Sequence, residues 1–223
     1  MKTRFNWIGA DWKRVKNHCR TTVNKKFTDN EPTAEFKKKL LISEHTPIRL
    51  IEIDWSWERI KSWVSVHWVR HKHEKFVSTQ RDDRKEHEIS RDDMPQGTLV
   101  DMDNYANAQQ LIDIMRKRLC YQASPETREL AEDLKVALRK EQPELADVCV
   151  PNCVYRAGCP EFQTCGFWDK LMKDIKEEAL ADDPESRSDA VDSFMTECCD
   201  IQNRYFYYNS QFYEKGKVVK DNG

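Results

Sequence analysis

The apolar residues of this chain change period within one continuous stretch, and that change constrains its folding more than any other feature of its 223 residues. Between Thr46 and Trp55, Ile48, Leu50, Ile51 and Ile53 alternate imperfectly, which predicts a largely buried strand opened by Pro47. Downstream, Ile60, Trp63, Val64, His67, Trp68 and His71 fall at helical spacing. The strand therefore leads into an amphipathic helix that ends near Arg70. The strongly charged run from Arg70 to Asp93 is expected to be loop or surface.

Three more helices are marked. Leu111, Ile114, Met115, Arg118, Leu119 and Gln122 form an apolar stripe with Arg118 on its edge. Ser124 is a good N-cap, Pro125 suits the first helical position and Glu126 favours the positive helix end, so a third helix runs from here towards Lys140, with Arg128 one turn inside. Val191, Phe194, Met195, Cys198, Ile201 and Tyr205 predict a final helix. The aromatic tail Tyr205, Phe206, Tyr207, Tyr208, Phe212 and Tyr213 is expected to cover the core in preference to a neighbouring subunit.

The length suits one main compact domain. Charged residues are 34% but balance to −2, so overall charge argues for neither a nucleic-acid nor a membrane-surface partner, and an anionic ligand must be met locally. No run approaches the roughly 18 apolar residues of a membrane span, and the N-terminus lacks a secretory signal, so a cytoplasmic protein is expected. Its eight cysteines are then read as reduced thiols or metal ligands. None of the six glycines falls in a dinucleotide or phosphate-loop pattern.

Three blocks occur in order: Glu44-His45-Thr46-Pro47; Val66-His67-Trp68-Val69-Arg70-His71-Lys72; and Asn107-Ala108-Gln109 through Arg118 to Ala123 and Glu126-Thr127-Arg128. Together they resemble the flavin-dependent thymidylate synthases. The first is similar to that family's His-x-x-Pro segment, the second to its Arg-His-Arg signature, and the third to its long helix and final Glu-x-Arg, without a gap. Cys19-Arg20-Thr21-Thr22 is similar to an early Ala-Arg-x-Ser element, and the resemblance spans roughly Asp11 to Cys165.

The resemblance implies an α+β fold, a mixed helix and sheet domain of the flavin-dependent thymidylate synthase type with a helical C-terminal extension. The expected division is a core over 1–148 and a cysteine-rich, helical and aromatic extension over 149–223. It also implies FAD as cofactor, NADPH and methylenetetrahydrofolate as co-substrates, conversion of dUMP to dTMP, and a homotetramer whose active sites draw on several subunits. Arg128 would be catalytic, holding the pyrimidine edge and stabilising charge on the uracil carbonyls with planar, always-charged donors. Glu44, His45, Arg70, His71, Lys72, Asn107, Arg118 and Gln122 would hold flavin, and His67 with Arg70 would contact the nucleotide. For the phosphate, either Ser78 or Thr79 acts with Arg81, the favoured register, or Arg84 takes that role after a short insertion.

The chain departs from the family where Glu44 replaces a histidine, where His67 replaces a glutamine, and where Phe76 to Arg84 replaces a serine-rich signature. A related enzyme making a modified pyrimidine such as hydroxymethyl-dUMP, or an inactive zinc-stabilised binding protein on the same core, are the alternatives. Cys149, Cys153, Cys159 and Cys165, amid Pro151, Gly158, Pro160 and Gly166, are read either as a tetrahedral zinc site or as buried free thiols.

Overall fold

The computed structural model describes residues 2–81, 83–84, 89–182 and 200–214. Four strands, β1 (Arg4–Gly9), β2 (Glu52–Lys61), β3 (Glu74–Val77) and β4 (Leu99–Asn107), form an antiparallel sheet in the order β1-β2-β4-β3. The pleat of β4 sorts its residues: Val100, Met102, Asn104 and Ala106 are buried, while Asp101 and Asp103 point to solvent. On the polar face Tyr105 donates to Glu52 over 2.7 Å, and Asn6 to Asp54 over 2.9 Å. One face is wet and the other carries the core, as in an antiparallel sheet covered by helices on one side.

Among the described residues the helices are α1 (Trp12–Thr22), α2 (Ala34–Ile42), α3 (Ser62–Val69), α4 (Ala108–Arg118), α5 (Pro125–Glu141), α6 (Pro143–Val148), α7 (Asn152–Arg156), α8 (Phe167–Asp182) and α9 (Ile201–Glu214). Both α3 and α4 begin at the residue after a strand ends, so the sheet aims them directly. Eight residues are too few to hold a helix on backbone bonds alone. Trp68 on α3 is fully buried against Trp57 of β2, ring centroids 4.5 Å apart. Burying an indole of about 200 Å² stabilises by several kcal/mol, so packing, not propensity, fixes α3. The next helix relies on a cap: the Asn107 side chain accepts from Gln110 N, and the Gln110 side chain accepts from Asn107 N.

The strand expected over Thr46 to Trp55 is corrected. Thr46–Leu50 is a 3₁₀ turn with Pro47 in its first positions, and the strand runs from Glu52 to Lys61. Ile48 and Ile51 are buried from that turn, so their spacing reflected burial without an extended backbone. Ile60 accordingly belongs to the strand. Within the expected loop from Arg70 to Asp93 lies β3, whose side chains are mostly exposed and whose pairing with β4 is made by backbone. The third helix runs as expected from Pro125, but Ser124 makes no side-chain bond to the helix N-terminus.

One hydrophobic cluster extends from Trp12 to Tyr208, including Cys149, Val150 and Val154, and shows no break at residue 148. Tyr205 and Tyr208 of α9 are buried in it, so that part of the aromatic tail covers the core, while Phe206 is exposed. Val191, Phe194, Met195 and Cys198 lie outside the described residues.

Candidate active site

The C-terminal ends of α3 and α4 meet near the start of α5. Arg70 caps α3, His71 follows it, and Arg118 ends α4. Arg118 donates its Nε–H to His71 Nε2 over 2.6 Å. Burial first, then Arg118, His73 and Lys75, push the His71 imidazole down to about 4, so it is neutral at pH 7 and can accept that bond. Burial and the neighbouring Arg70 lower the proton affinity of Arg118 itself. Among the described residues no carboxylate pairs with Arg70 or Arg118. Two guanidiniums without a counter-anion form a ready acceptor for a phosphate or other anionic group.

His67 joins α3 to α5. Its Nδ1 lies 2.7 Å from Thr127 Oγ1 and 3.5 Å from Ser124 Oγ, and Ser124 donates to Thr127 over 2.8 Å. That network explains why Ser124 does not cap its helix. Burial, Arg118 and Arg70 lower the His67 pKa, so this ring also favours the neutral form. Arg128 follows the fully buried Thr127; its guanidinium lies 4.3 Å over the Tyr121 ring and its Nε donates to Glu132 over 3.2 Å.

Thus His67, Arg70, His71 and Arg118 are brought together, and Arg128 is adjacent in sequence to a residue of the same network. Other expected site residues are engaged elsewhere. Glu44 pairs with Arg116 and accepts from Gln109 over 2.6 Å, and His45 Nδ1 lies 4.0 Å from Cys19 Sγ. Asn107 is the α4 cap, Gln122 donates to the Gln163 carbonyl over 2.9 Å, and Lys72 is exposed. Ser78 pairs with the Asp101 backbone, Thr79 Oγ1 accepts from Arg81 N, and Arg81 makes two bonds to Asp83 at 2.8 and 2.6 Å. Arg84 also faces Asp83, at 4.0 Å. None of these four is linked by a hydrogen bond or ion pair to Arg70, Arg118 or Arg128 among the described residues.

Sequence reasoning gave no role to Thr127, Tyr121 or Arg116. The last stacks 3.6 Å from the Tyr155 ring centroid and is the true partner of Glu44. A threonine beside Arg128 was visible, but its histidine partner lies 60 residues away. A cavity of about 470 Å³ is walled by Tyr121 and Glu132, the two residues that hold Arg128, together with Phe167, Lys170, Tyr208 and Phe212 of α8 and α9.

Of the four cysteines read as a zinc site or as buried free thiols, Cys149 stands apart, with Lys135 and Arg116 and no other thiol among its described neighbours. Cys149 is fully buried, its thiol pushed up to about 12 by burial against the countereffect of Lys135 and Arg116, whereas Cys165 is exposed. Among the described residues no three ligand-type side chains are placed to hold one ion.

No protein-family model and no curated protein sequence matches the chain. Solved structures do. The flavin-dependent thymidylate synthase ThyX of Helicobacter pylori, complexed with FAD and dUMP, superposes with a TM-score of 0.56 at 15% identity, covering 67% of this chain and 100% of that one. The fold is that of the flavin-dependent thymidylate synthases. The UMP/dUMP methylase PolB of Streptomyces cacaoi, bound with 5-Br dUMP, superposes at 0.51 with 14% identity over 66% of this chain and 93% of its own. A third of this chain has no counterpart in the ThyX structure, which is complete within it. Of the described residues, no helix is long and apolar enough to cross a membrane.

Proposed function

We propose that this chain is a flavin-dependent enzyme that alkylates C5 of dUMP, forming dTMP with methylenetetrahydrofolate and a reduced nicotinamide cofactor. The observation that carries the reading is the guanidinium pair of Arg70 and Arg118, without a carboxylate partner among the described residues, beside a neutral His71 on a fold of the flavin-dependent thymidylate synthase type. The neighbouring structures hold FAD and dUMP. A flavin dinucleotide brings a diphosphate, and this unpaired positive charge fits it.

Bound flavin would supply the carrier for the one-carbon unit and the hydride. The chain's own residues would position and polarise. Glu132 holds Arg128 through Nε on the face of Tyr121, and the Nη groups of Arg128 make no hydrogen bond among the described residues. Those planar donors suit the uracil carbonyls, where negative charge grows as C5 becomes nucleophilic. His67, fixed by Thr127, presents its other ring nitrogen to the nucleotide. Arg81 reaches a phosphate only by exchanging Asp83 for it, which an exposed pair permits at little cost. The homotetramer and the folate co-substrate come with the same reading.

The test is spectroscopic. Full-length protein incubated with FAD and desalted is expected to stay yellow, and to oxidise reduced nicotinamide cofactor faster with dUMP than without it. Product analysis then distinguishes dTMP from hydroxymethyl-dUMP. A colourless protein that binds neither FAD nor dUMP would end this reading.

A further inference from the structure

Two contacts orient the guanidinium of Arg128. The bond from its Nε to Glu132, 3.2 Å long, fixes where the group points but leaves its plane free to swing about that bond. The plane is set by the Tyr121 ring, whose centroid lies 4.3 Å from Cζ. Tyr121 stands in the turn between α4 and α5 and is 48% exposed, so neither a helix nor burial holds its ring in place. Phe167 does. It lies nearly parallel against the same ring, at 16° with centroids 4.5 Å apart. Phe167 is itself well anchored. Gly166, at φ 75°, turns the chain into α8 and delivers Phe167 as the first helical residue. Leu171 and Ile175, one and two turns further on the same face, are buried, and the Phe167 ring meets buried Tyr208 of α9 edge to face, centroids 6.3 Å apart.

We propose that Phe167 is a positioning residue for Arg128: acting through Tyr121, it sets the plane of the guanidinium, so that α8 and α9 become a working part of the site. The inference rests on the proposed function for what Arg128 does, and on geometry for how it is held. The resemblance in sequence ends near Cys165, two residues before Phe167, so this support belongs to the chain's own C-terminal helices.

Open space beside these rings makes the side chain at 167 decisive. The cavity of about 470 Å³ has Tyr121, Glu132, Phe167 and Tyr208 among its walls. With a smaller, non-planar side chain at 167, Tyr121 loses the flat surface it lies on and gains room to turn away. Arg128 would then keep Glu132 but not its plane. A planar fork recognises a carbonyl edge only when both donors are aimed at it, so a rotated guanidinium stabilises the charge that grows on the uracil less well.

The experiment compares Phe167→Leu, Phe167→Tyr, Tyr121→Leu and the double variant Tyr121→Leu with Phe167→Leu, all in the full chain. The first readout needs no turnover. In protein carrying ¹⁵N-labelled arginine, the Arg128 Nε–H signal, assigned by its absence from Arg128→Lys, should show the ring-current shift of a group held over an aromatic face. Phe167→Leu and Tyr121→Leu should abolish that shift, and Phe167→Tyr, which keeps the ring, should restore it. The second readout is kinetic. In Phe167→Leu, kcat should fall by about 10- to 100-fold, while KM for dUMP and the bound flavin change by less than about threefold. Because Phe167 acts through Tyr121, the double variant should be no slower than Tyr121→Leu alone. Should Phe167→Leu not fold, Phe167→Met, which fills irregular space without a plane, takes its place with the same expectations. An Arg128 signal indifferent to these changes, losses that multiply in the double variant, a Phe167→Tyr as slow as Phe167→Leu, or failure of both substitutes to fold would each overturn the assignment. A wild-type protein that does not turn over dUMP would instead end the proposed function, and the arginine signal would still decide how Arg128 is held.

Discussion

Arg118 donates to His71 across 2.6 Å, so a guanidinium is seated on a neutral imidazole where a carboxylate would ordinarily stand. The imidazole accepts only while unprotonated. Its folded pKa of about 4 lies below the ordinary 6.5, so between these values the unfolded chain binds more protons than the folded one. Stability contributed here is fully present above pH 6.5 and is lost as pH falls towards 4. The urea midpoint should therefore drop over that window, and His71→Gln, which keeps an acceptor but does not titrate, should flatten the drop. Parallel curves for the two proteins would refute this.

Glu44 occupies a left-handed backbone conformation, φ 50°, just past α2, from which its side chain reaches both Arg116 and Gln109. A glutamate there bears a strain of about 1 kcal/mol that glycine would not. Glu44→Gly relieves the strain but leaves the largely buried Arg116 with the exposed Asp113 as its remaining carboxylate among the described residues. We expect the loss to win, with a net destabilisation of about 2–3 kcal/mol in urea unfolding. An unchanged or raised midpoint would show that Asp113 suffices.

Arg128→Lys retains the charge but loses the planar fork and its seat on Tyr121. Under the proposed function, kcat should fall by about 10²–10³ while flavin absorbance on the protein is unchanged. Turnover within threefold of wild type would remove Arg128 from the chemistry.

Lys135 is fully buried on α5, where its Nζ donates to Ala146 O over 2.5 Å and to Asn209 Oδ1 over 2.8 Å, among the rings of Tyr208, Phe212 and Tyr213. It ties α6 and α9 to α5. Lys135→Ala opens a cavity and strands two acceptors, which should cost about 3–5 kcal/mol. Lys135→Met also loses the donor but fills the space and removes a buried charge, so its cost should stay under about 2 kcal/mol. Chemical denaturation of both variants decides the matter, and equal losses would rule out this account.

How much was legible depended on whether a signal was local. The start of α5 was readable because Ser124, Pro125 and Glu126 are adjacent, and α3 because Val64 and Trp68 fall one turn apart and are both buried. The edge strand β3 was not, since Glu74, Phe76 and Val77 bury little and backbone pairing leaves no mark on side-chain pattern. Nor was β4, whose buried face includes Asn104, held by the equally buried His73 at 3.1 Å. At the site, the blocks named His67, Arg70, His71 and Arg118, which the fold brings together. Which residue takes up which was invisible, because Glu44 finds Arg116 and His67 finds Thr127 only after the chain has folded.

The two strand-to-helix junctions, Lys61 to Ser62 and Asn107 to Ala108, contain no spacer. Adding a single amino acid at either would swivel the helix beyond it by about 100° and push it forward by about 1.5 Å. Arg118 would then lose its place beside His71 and Arg70. The two junctions act as fixed datum points whose length cannot drift.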